Sequence, residues 1–271
     1  MRFRLLLSLQ DKRYRTIPVN YQYPLSAWIY KTINEGNHEF ARFLHTKGYG
    51  SGNKAFKFFT FSMLEFPQSG YSLQDDRLHI QAETCALEVS FMAPEAMQHF
   101  ISGLFRNQQF TLGDKTSRAA FGVRSVEAIA LPVFTDKMCF TALSPILVSH
   151  QQTNRATAAY LAPDNPMFGK LLTDNLTAKY AAAVQSGLLQ WEKDAGGEQS
   201  VQFELIGKYK MKGLTIKEGT PYQTKIIGYM FSFRIAAPEA LIRLGYQAGF
   251  GEKNSLGLGY CQPIDEQEIT N

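Results

Sequence analysis

The fragment Ala93-Pro94-Glu95-Ala96 divides the sequence, because it recurs as Ala237-Pro238-Glu239-Ala240. Each copy follows a predicted strand that contains Ser-Phe, and each opens a predicted helix that has proline in its first turn. A tetrapeptide that recurs in the same structural frame indicates internal duplication. We therefore interpret the chain as two related units, with a linker near residues 132–137.

The residues around the first copy predict one β-α-β-β-α-β unit. The apolar periodicity places strands at 3–9, 56–66, 78–91 and 121–131, and helices at 24–35, 38–45 and 94–105. The first helix is split by Gly36-Asn37, and a glycine-rich loop follows the second at residues 47–53. The first unit is thus predicted to have four strands and two helices, of which the first helix is split into two segments.

The residues around the second copy predict the same order. Strands are expected at 138–149, 201–211, 222–235 and 256–262, and helices at 166–186 and 238–246. The fold class is therefore predicted to be α+β, with two tandem ferredoxin-like domains at residues 1–132 and 138–271. Many functions use that fold, so the fold alone does not identify one.

Composition and charge narrow the classes of function. Residues 1–60 contain ten Lys or Arg against three Asp or Glu, a surplus that suits either a polyanionic partner or a solvated basic face. The three cysteines, an odd number, fit a reducing compartment, and we expect a cytoplasmic protein. The five histidines show no zinc-ligand spacing, and no segment has the length of a membrane span. We predict no metal, no cofactor and no membrane partner.

The most specific stretch runs from Gly249 to Gly259 and reads Gly-Phe-Gly-Glu-Lys-Asn-Ser-Leu-Gly-Leu-Gly. It follows a predicted helix and precedes a strand, which is the reverse of a dinucleotide fingerprint, and it lacks the closing Gly-Lys-Ser/Thr of a P-loop. Glycine lets a backbone approach a ligand closely and expose its N–H groups. We predict an RNA-binding loop that uses Gly249, Gly251, Lys253, Asn254, Ser255, Gly257 and Gly259.

This loop resembles the one that ends the CRISPR-associated Cas6 endoribonucleases, of the wider repeat-associated (RAMP) superfamily. Met1-Arg2-Phe3, Tyr30, His45, Lys57-Phe58-Phe59-Thr60 and Leu143-Ser144-Pro145-Ile146 also fit that family. The resemblance covers nearly the whole chain. It implies cleavage of precursor CRISPR RNA within each repeat, by attack of a 2′-OH that leaves 2′,3′-cyclic phosphate and 5′-OH ends without a metal.

The resemblance places the catalytic set at Tyr30, His45 and Lys57. Tyr30 and His45 each lie about 130° from the centre of the apolar stripe of their own helix, so neither is placed as a simple core residue. His45 is expected to be the general acid or base, with Tyr30 as its partner and Lys57 beside the phosphate. Lys47 and Lys54 are alternatives for the lysine, and His38 is the alternative histidine.

The predicted partner is CRISPR repeat RNA, single-stranded or weakly hairpinned, with extra phosphate contacts from Lys208, Lys210 and Lys212. A CRISPR effector complex and a second copy of the chain are further candidate partners. Two other readings stay open: a non-catalytic RNA-binding subunit of the same superfamily, and an unrelated two-domain metabolic protein of the same fold.

Overall fold

The computed structural model describes residues 1–50, 54–151, 158–192 and 201–265. Residues 51–53 of the predicted glycine-rich loop after α2, and residues 266–271 of the predicted second domain, lie outside the described residues. The helices are α1 (Gln22–Gly36), α2 (His38–Thr46), α3 (Pro94–Arg106), α4 (Phe168–Gln185) and α5 (Glu239–Ala248). In the described ranges, no helix combines the length and apolar character that crossing a bilayer requires.

The strands fall into two main sheets and two small ones. The strands are β1 (Arg2–Leu9), β2 (Thr16–Pro18), β3 (Phe59–Phe61), β4 (Tyr71–Gln74), β5 (Arg77–Ile80), β6 (Thr84–Phe91), β7 (Gln109–Gly113), β8 (Arg118–Ile129), β9 (Lys137–Ala142), β10 (Ser149–His150), β11 (Ala159–Tyr160), β12 (Gln202–Ile216), β13 (Thr224–Ala236) and β14 (Cys261–Ile264). One main sheet has the order β3-β6-β1-β8-β7, and the other has the order β12-β13-β9-β14.

Both main sheets have the ferredoxin-like order. In each, the second, third, first and fourth strands of the unit lie side by side, and every neighbouring pair is antiparallel. The predicted α+β class with two tandem ferredoxin-like units is confirmed. The domain bounds 1–132 and 138–271 stay a prediction, because strand pairing does not tell where each unit would fold alone.

The packing of the first unit fixes α1. Trp28 stacks on Phe110 with ring centroids 3.9 Å apart, and its edge meets Phe100 of α3. Helices α1 and α3 approach so closely that a Cβ on Gly103 would lie 1.8 Å from the carbonyl oxygen of Thr32. Aromatic stacking and a glycine at the crossing therefore hold α1, the helix that carries Tyr30, against the rest of the unit.

A row of three buried side chains joins the two units. Thr60, Ser90 and Arg2 lie opposite one another on β3, β6 and β1. Each donates a hydrogen bond to a carbonyl oxygen of the second unit: Leu258 at 2.9 Å, Gln247 at 2.6 Å and Tyr246. Buried polar groups need such partners, and here they hold the end of α5 and the loop after it against the first sheet.

The predicted strand at 56–66 is wrong in length. The strand pairing with β6 runs over Phe59–Phe61, and beyond it Glu65 forms a single bridge to Ala86 of β6. Phe58 has a left-handed backbone with φ of 52°, which interrupts an extended run before β3. After β3 the amide of Met63 donates to Leu143 of the second unit. The phenylalanines of this run thus pack in the core, but only three residues of the run form a strand.

Three further strand predictions are corrected. The run 78–91 divides into β5 and β6, because the amides of residues 81 and 82 both donate to the carbonyl of Gly70. The strand from 138 ends at Ala142, since the next two amides donate to the carbonyl of Tyr260. The last strand begins at Cys261, after a 3-10 turn over Asn254–Leu256. The edge strands β2, β4 and β7 were not predicted.

Candidate functional site

The loop of residues 249–259, called the glycine-rich loop below, folds back on its own chain. All four of its glycines have positive φ angles and are buried. A Cβ on Gly259 would lie 1.9 Å from the carbonyl oxygen of Phe250, and one on Gly257 would lie 2.4 Å from the ring of Phe61. The glycines are therefore required by close contacts inside the protein. Their predicted contact with RNA stays a prediction.

Side chains tie this loop from within. Asn254 is 9% exposed, and its Nδ2 donates to the carbonyl oxygens of Phe250 at 3.1 Å and Leu258 at 2.9 Å. The carboxylate of Glu252 accepts hydrogen bonds from the amide and the hydroxyl of Ser149, at 2.7 Å and 2.8 Å. The amide of Asn254 is committed inside the loop. Lys253, in contrast, is exposed and has a left-handed backbone with φ of 53°.

One face of α1 holds the loop from the first unit. Gln22, Ser26 and Tyr30 are four residues apart and share that face. Nε2 of Gln22 donates to the carbonyl oxygen of Gly257 at 3.0 Å, and Oγ of Ser26 donates to that of Ser255 at 2.6 Å. Tyr30, one turn further, interacts with the Ser255 side chain. The glycine-rich loop therefore lies directly beside a predicted catalytic residue.

Tyr30, His45 and Lys57 come together at the end of this helix face. The Tyr30 and His45 rings meet edge to face with centroids 5.4 Å apart. Nζ of Lys57 donates to the backbone carbonyl oxygen of His45 at 3.1 Å. His45 is exposed, whereas Tyr30 and Lys57 are half-buried. Three residues from separate elements thus form one cluster with an open imidazole.

Burial shifts the pKa values of two of these groups. Burial raises the pKa of Tyr30 to about 12, and hydrogen bonding with Ser255 acts in the opposite direction. Burial also lowers the pKa of Lys57. At neutral pH the phenol of Tyr30 is therefore protonated, which makes it a hydrogen-bond donor and not a base.

A cleft of about 610 Å³ lies next to the cluster, between the two units. Of the described residues that line it, four are lysines (Lys54, Lys57, Lys179 and Lys253) and two are acidic. Ser255 and Asn254 form part of its wall. Tyr30 and His45 line a separate hollow of about 340 Å³. Lys57 therefore lines the cleft and also bonds to the backbone of His45, which lines the hollow.

The alternative residues have other contacts, although His38 lines the same hollow as Tyr30 and His45. His38 hydrogen-bonds Asn34 through Nδ1 at 2.8 Å, at the start of α2. Lys47 is exposed at the C-terminal end of α2, and Lys54 is exposed at the rim of the cleft. Lys57 donates a hydrogen bond to the His45 backbone, which favours it over Lys47 and Lys54 as the lysine of the cluster.

Lys208, Lys210 and Lys212 lie on β12, outside the cleft lining. Lys210 and Lys212 are two residues apart and share one face of the strand, whereas Lys208 lies in an irregularity of the β12–β13 pairing between Ile206 and Lys210. Lys208 and Lys210 are exposed, and Lys212 is half-buried.

Sequence reasoning missed the residues that hold the loop. Gln22 and Ser26 repeat at the spacing that leads to Tyr30, so their polar stripe was a usable signal. Lys179 interrupts the stripe Leu172, Leu176 and Ala183, which occupies buried positions of α4. A lysine in such a stripe is a second usable signal, because lysine is almost never fully buried unless it is paired.

The described residues offer no ready metal site. Across residues 1–50, 54–151, 158–192 and 201–265, no three His, Cys, Asp or Glu side chains are grouped so that they could hold a metal ion. Cys85, Cys139 and Cys261 are all buried and in the thiol form.

Two family models match consecutive parts of the chain. Residues 16–126 match the model for the N-terminal part of CRISPR-associated protein Cas6, and residues 129–263 match the model for its C-terminal part. Together they cover most of the chain, and they meet close to the predicted linker between the two units.

Whole-chain relatives agree with these models. The chain is 27% identical to a CRISPR-associated endoribonuclease Cas6 of Methanocaldococcus jannaschii, over 99% of this chain and 95% of the relative. It is 29% identical to a CRISPR-associated endoribonuclease Cas6 of Pyrococcus furiosus, over 96% and 88%. A solved structure of a Cas6-related protein of Pyrococcus furiosus superposes with a TM-score of 0.79 over 98% of this chain and 99% of that chain. At 24% identity, this last likeness shows the fold alone.

Proposed function

The chain belongs to the Cas6 family of CRISPR-associated proteins, and from that premise we propose that it is an endoribonuclease that cuts precursor CRISPR RNA within its repeats. The observation that carries the proposal is the convergence of Tyr30, His45 and Lys57. A ring-to-ring distance of 5.4 Å and a hydrogen bond of 3.1 Å bring together residues from three elements. An exposed imidazole beside a phenol and an ammonium is a set suited to moving protons around a phosphate.

The proposed reaction is an internal transesterification. The 2′-oxygen of one nucleotide attacks the adjoining phosphorus, the bond from phosphorus to the 5′-oxygen breaks, and the products are a 2′,3′-cyclic phosphate and a 5′-OH. One proton must leave the 2′-oxygen and one must reach the 5′-oxygen. Both transfers can be made by side chains, so the reaction as proposed requires no metal.

His45 is proposed as the group that transfers one of these protons. Histidine is the side chain whose ordinary pKa lies nearest neutral pH, so it can both accept and give a proton there. Its exposure lets RNA reach the ring. Tyr30, whose pKa is raised to about 12, stays protonated and donates a hydrogen bond that orients the imidazole or a phosphate oxygen.

Lys57 is proposed to stabilise the charge that develops on the phosphate. Its ammonium lies at the edge of the cleft and within 3.1 Å of the His45 backbone. A cation fixed where negative charge develops lowers the barrier most when it is already in place. The half-buried stem and the carbonyl partner supply that fixation.

The RNA is proposed to run through the cleft beside the glycine-rich loop. Lys253 and Lys54 both line the cleft and are exposed. Such contacts to phosphates weaken as the salt concentration rises. A CRISPR effector complex that receives the product and a second copy of the chain stay candidate partners.

The proposal is tested with repeat RNA encoded in the same genome, incubated with the purified protein in EDTA. A parallel set of RNAs carries one 2′-deoxy nucleotide at each position in turn. We expect a single cut in EDTA that one deoxy substitution abolishes. Tight binding without a cut would point to a non-catalytic RNA-binding subunit, and loss of both would contradict the assignment.

A further inference from the structure

Lys179 is a charged residue in an enclosed position that the proposed mechanism does not use. It lies on α4 with 1% of its surface exposed. Its Nζ donates to the carbonyl oxygens of Gly249 at 2.6 Å and Gly251 at 2.7 Å. Both carbonyls belong to the first turn of the glycine-rich loop. The amine therefore holds the start of this loop from α4, whereas Gln22 and Ser26 hold its later residues from α1.

Placing an ammonium here has a free-energy cost. Burial lowers the pKa of Lys179 to about 7, and the carboxylate of Glu252 acts in the opposite direction. An apolar side chain of similar length would avoid this cost but would leave the two carbonyls without the hydrogen bonds of the amine. The contribution of the amine therefore lies in the two carbonyls that it bonds.

The two carbonyls decide how the chain leaves α5. Gly249 follows the last residue of the helix, where the backbone dipole places partial negative charge that favours a cation. Gly249 and Gly251 have φ angles of 91° and 70°, which turn their carbonyls toward α4. With this turn fixed, the residues from 252 onward continue to the wall of the cleft and to α1.

We propose that Lys179 is a positioning residue that sets the conformation of the glycine-rich loop from inside the protein. Through the loop it fixes the places of Lys253 and Ser255 beside RNA. It does not itself contact RNA, because its amine is enclosed and engaged by the loop carbonyls. The role in RNA binding rests on the proposed function, but the hold on the loop does not.

The test uses Lys179→Met and Lys179→Leu, which both remove the amine and keep an apolar stem suited to the stripe on α4. The control is Lys170→Met, on the same helix, where the lysine side chain is 73% exposed and paired with Asp174. Two apolar variants of different shape guard against one of them failing to fold. Hydrogen–deuterium exchange of the loop amides is measured on the free, full-length protein.

We expect the Lys179 variants to exchange the amides of residues 249–259 at least about tenfold faster, with exchange elsewhere unchanged. Binding of repeat RNA that carries a 2′-deoxy at the cut site should weaken about tenfold, and Lys170→Met should match the wild type in both measurements. Wild-type exchange in both Lys179 variants would overturn the proposal. If the wild-type protein binds no RNA, the proposed function fails while the exchange result still decides the hold on the loop.

A double-mutant cycle separates positioning from direct contact. Lys179→Met is combined with Lys253→Met, and the affinity for the same RNA is measured. If Lys179 acts through the loop, the double variant should bind RNA almost as tightly as the single variant with the lower affinity. We expect the two dissociation constants to differ by no more than about twofold. If the two losses multiply, Lys179 is an independent RNA contact, and the positioning role is overturned.

Discussion

The two halves of the candidate site are held in different ways. The glycine-rich loop is held by several side chains: Lys179 binds it from α4, Gln22 and Ser26 from α1, and Asn254 from within. In the cluster of Tyr30, His45 and Lys57, the Lys57 amine bonds to the His45 backbone, the Tyr30 ring contacts His45 and Phe59, and the imidazole is exposed. A surface that must recognise RNA benefits from being preorganised. A group that exchanges protons needs access to substrate and solvent.

Replacing the imidazole of His45, in the exposed half of the site, should have the largest effect of these substitutions. We expect His45→Gln to slow cleavage about 10²–10⁴-fold, because one acid–base group is removed, and to leave RNA affinity near wild type. The measurement is the single-turnover rate at saturating repeat RNA. His38→Gln, on the same helix but bonded to Asn34, is the matched control and should cleave normally. A normal cleavage rate for His45→Gln and a slow rate for His38→Gln would show that His38, and not His45, transfers the proton.

The buried amine should make stability depend on pH. The folded pKa of Lys179, about 7, lies below its ordinary value of 10.5, so the unfolded chain binds more protons between these values. Its contribution to the free energy of unfolding therefore rises as the pH rises from 7 toward 10. The neutral amine keeps two N–H donors, so both carbonyl bonds can persist.

This contribution is read as the difference between wild type and Lys179→Met in urea unfolding at pH 7, 8 and 9. The difference is needed because burial raises the pKa of the Cys85 and Cys261 thiols, which lowers stability as the pH rises. We expect the free energy of unfolding of the wild type, relative to that of Lys179→Met, to increase from pH 7 to pH 8 and again from pH 8 to pH 9. A difference that stays constant with pH would show that the folded pKa is not lowered.

Adding a methyl group to the glycine-rich loop should destabilise the fold. Gly259→Ala places a Cβ 1.9 Å from a carbonyl oxygen at a φ of 74°, so we expect a loss of about 1–3 kcal/mol in the free energy of unfolding. Gly219→Ala is the control, since Gly219 has a similar φ of 71° but open space around it. Equal losses in urea unfolding for the two variants would show that the close contact contributes nothing.

The smallest expected effect lies where the two halves meet. Ser255→Ala removes the hydroxyl beside Tyr30, and we expect a cleavage rate about threefold to tenfold lower at saturating RNA, with the dissociation constant unchanged. A Ser255 that binds a phosphate would give the opposite split, with weaker binding and a normal rate. Measuring both quantities on one RNA therefore decides which half of the site Ser255 serves.

The sequence predicted what depends on local pattern and internal repetition. The stripe of Leu25, Ile29 and Ile33 predicted α1, and the repeated tetrapeptide predicted two units of one fold. It overextended β3, because a left-handed Phe58 cannot be read from a run of phenylalanines. The edge strand β7 has exposed polar residues in alternation and was missed.

For the site, the resemblance indicated residues that the structure brings together, although their catalytic roles stay predictions. Resemblance and pattern did not reveal what holds them. The bonds from Gln22, Ser26 and Lys179 to the loop join residues more than 65 positions apart in sequence. Such contacts depend on how two units dock. Local periodicity describes each helix face but not the surface that it meets.

The most direct test of the central proposal is the chemistry of the cut ends. Wild-type protein is incubated with repeat RNA in EDTA, and the end groups of both fragments are identified by mass spectrometry. Attack by the 2′-OH predicts a 2′,3′-cyclic phosphate on the upstream fragment and a 5′-OH on the downstream one. A 3′-OH with a 5′-phosphate would mean that water attacked the phosphorus, and it would contradict the roles assigned to Tyr30, His45 and Lys57.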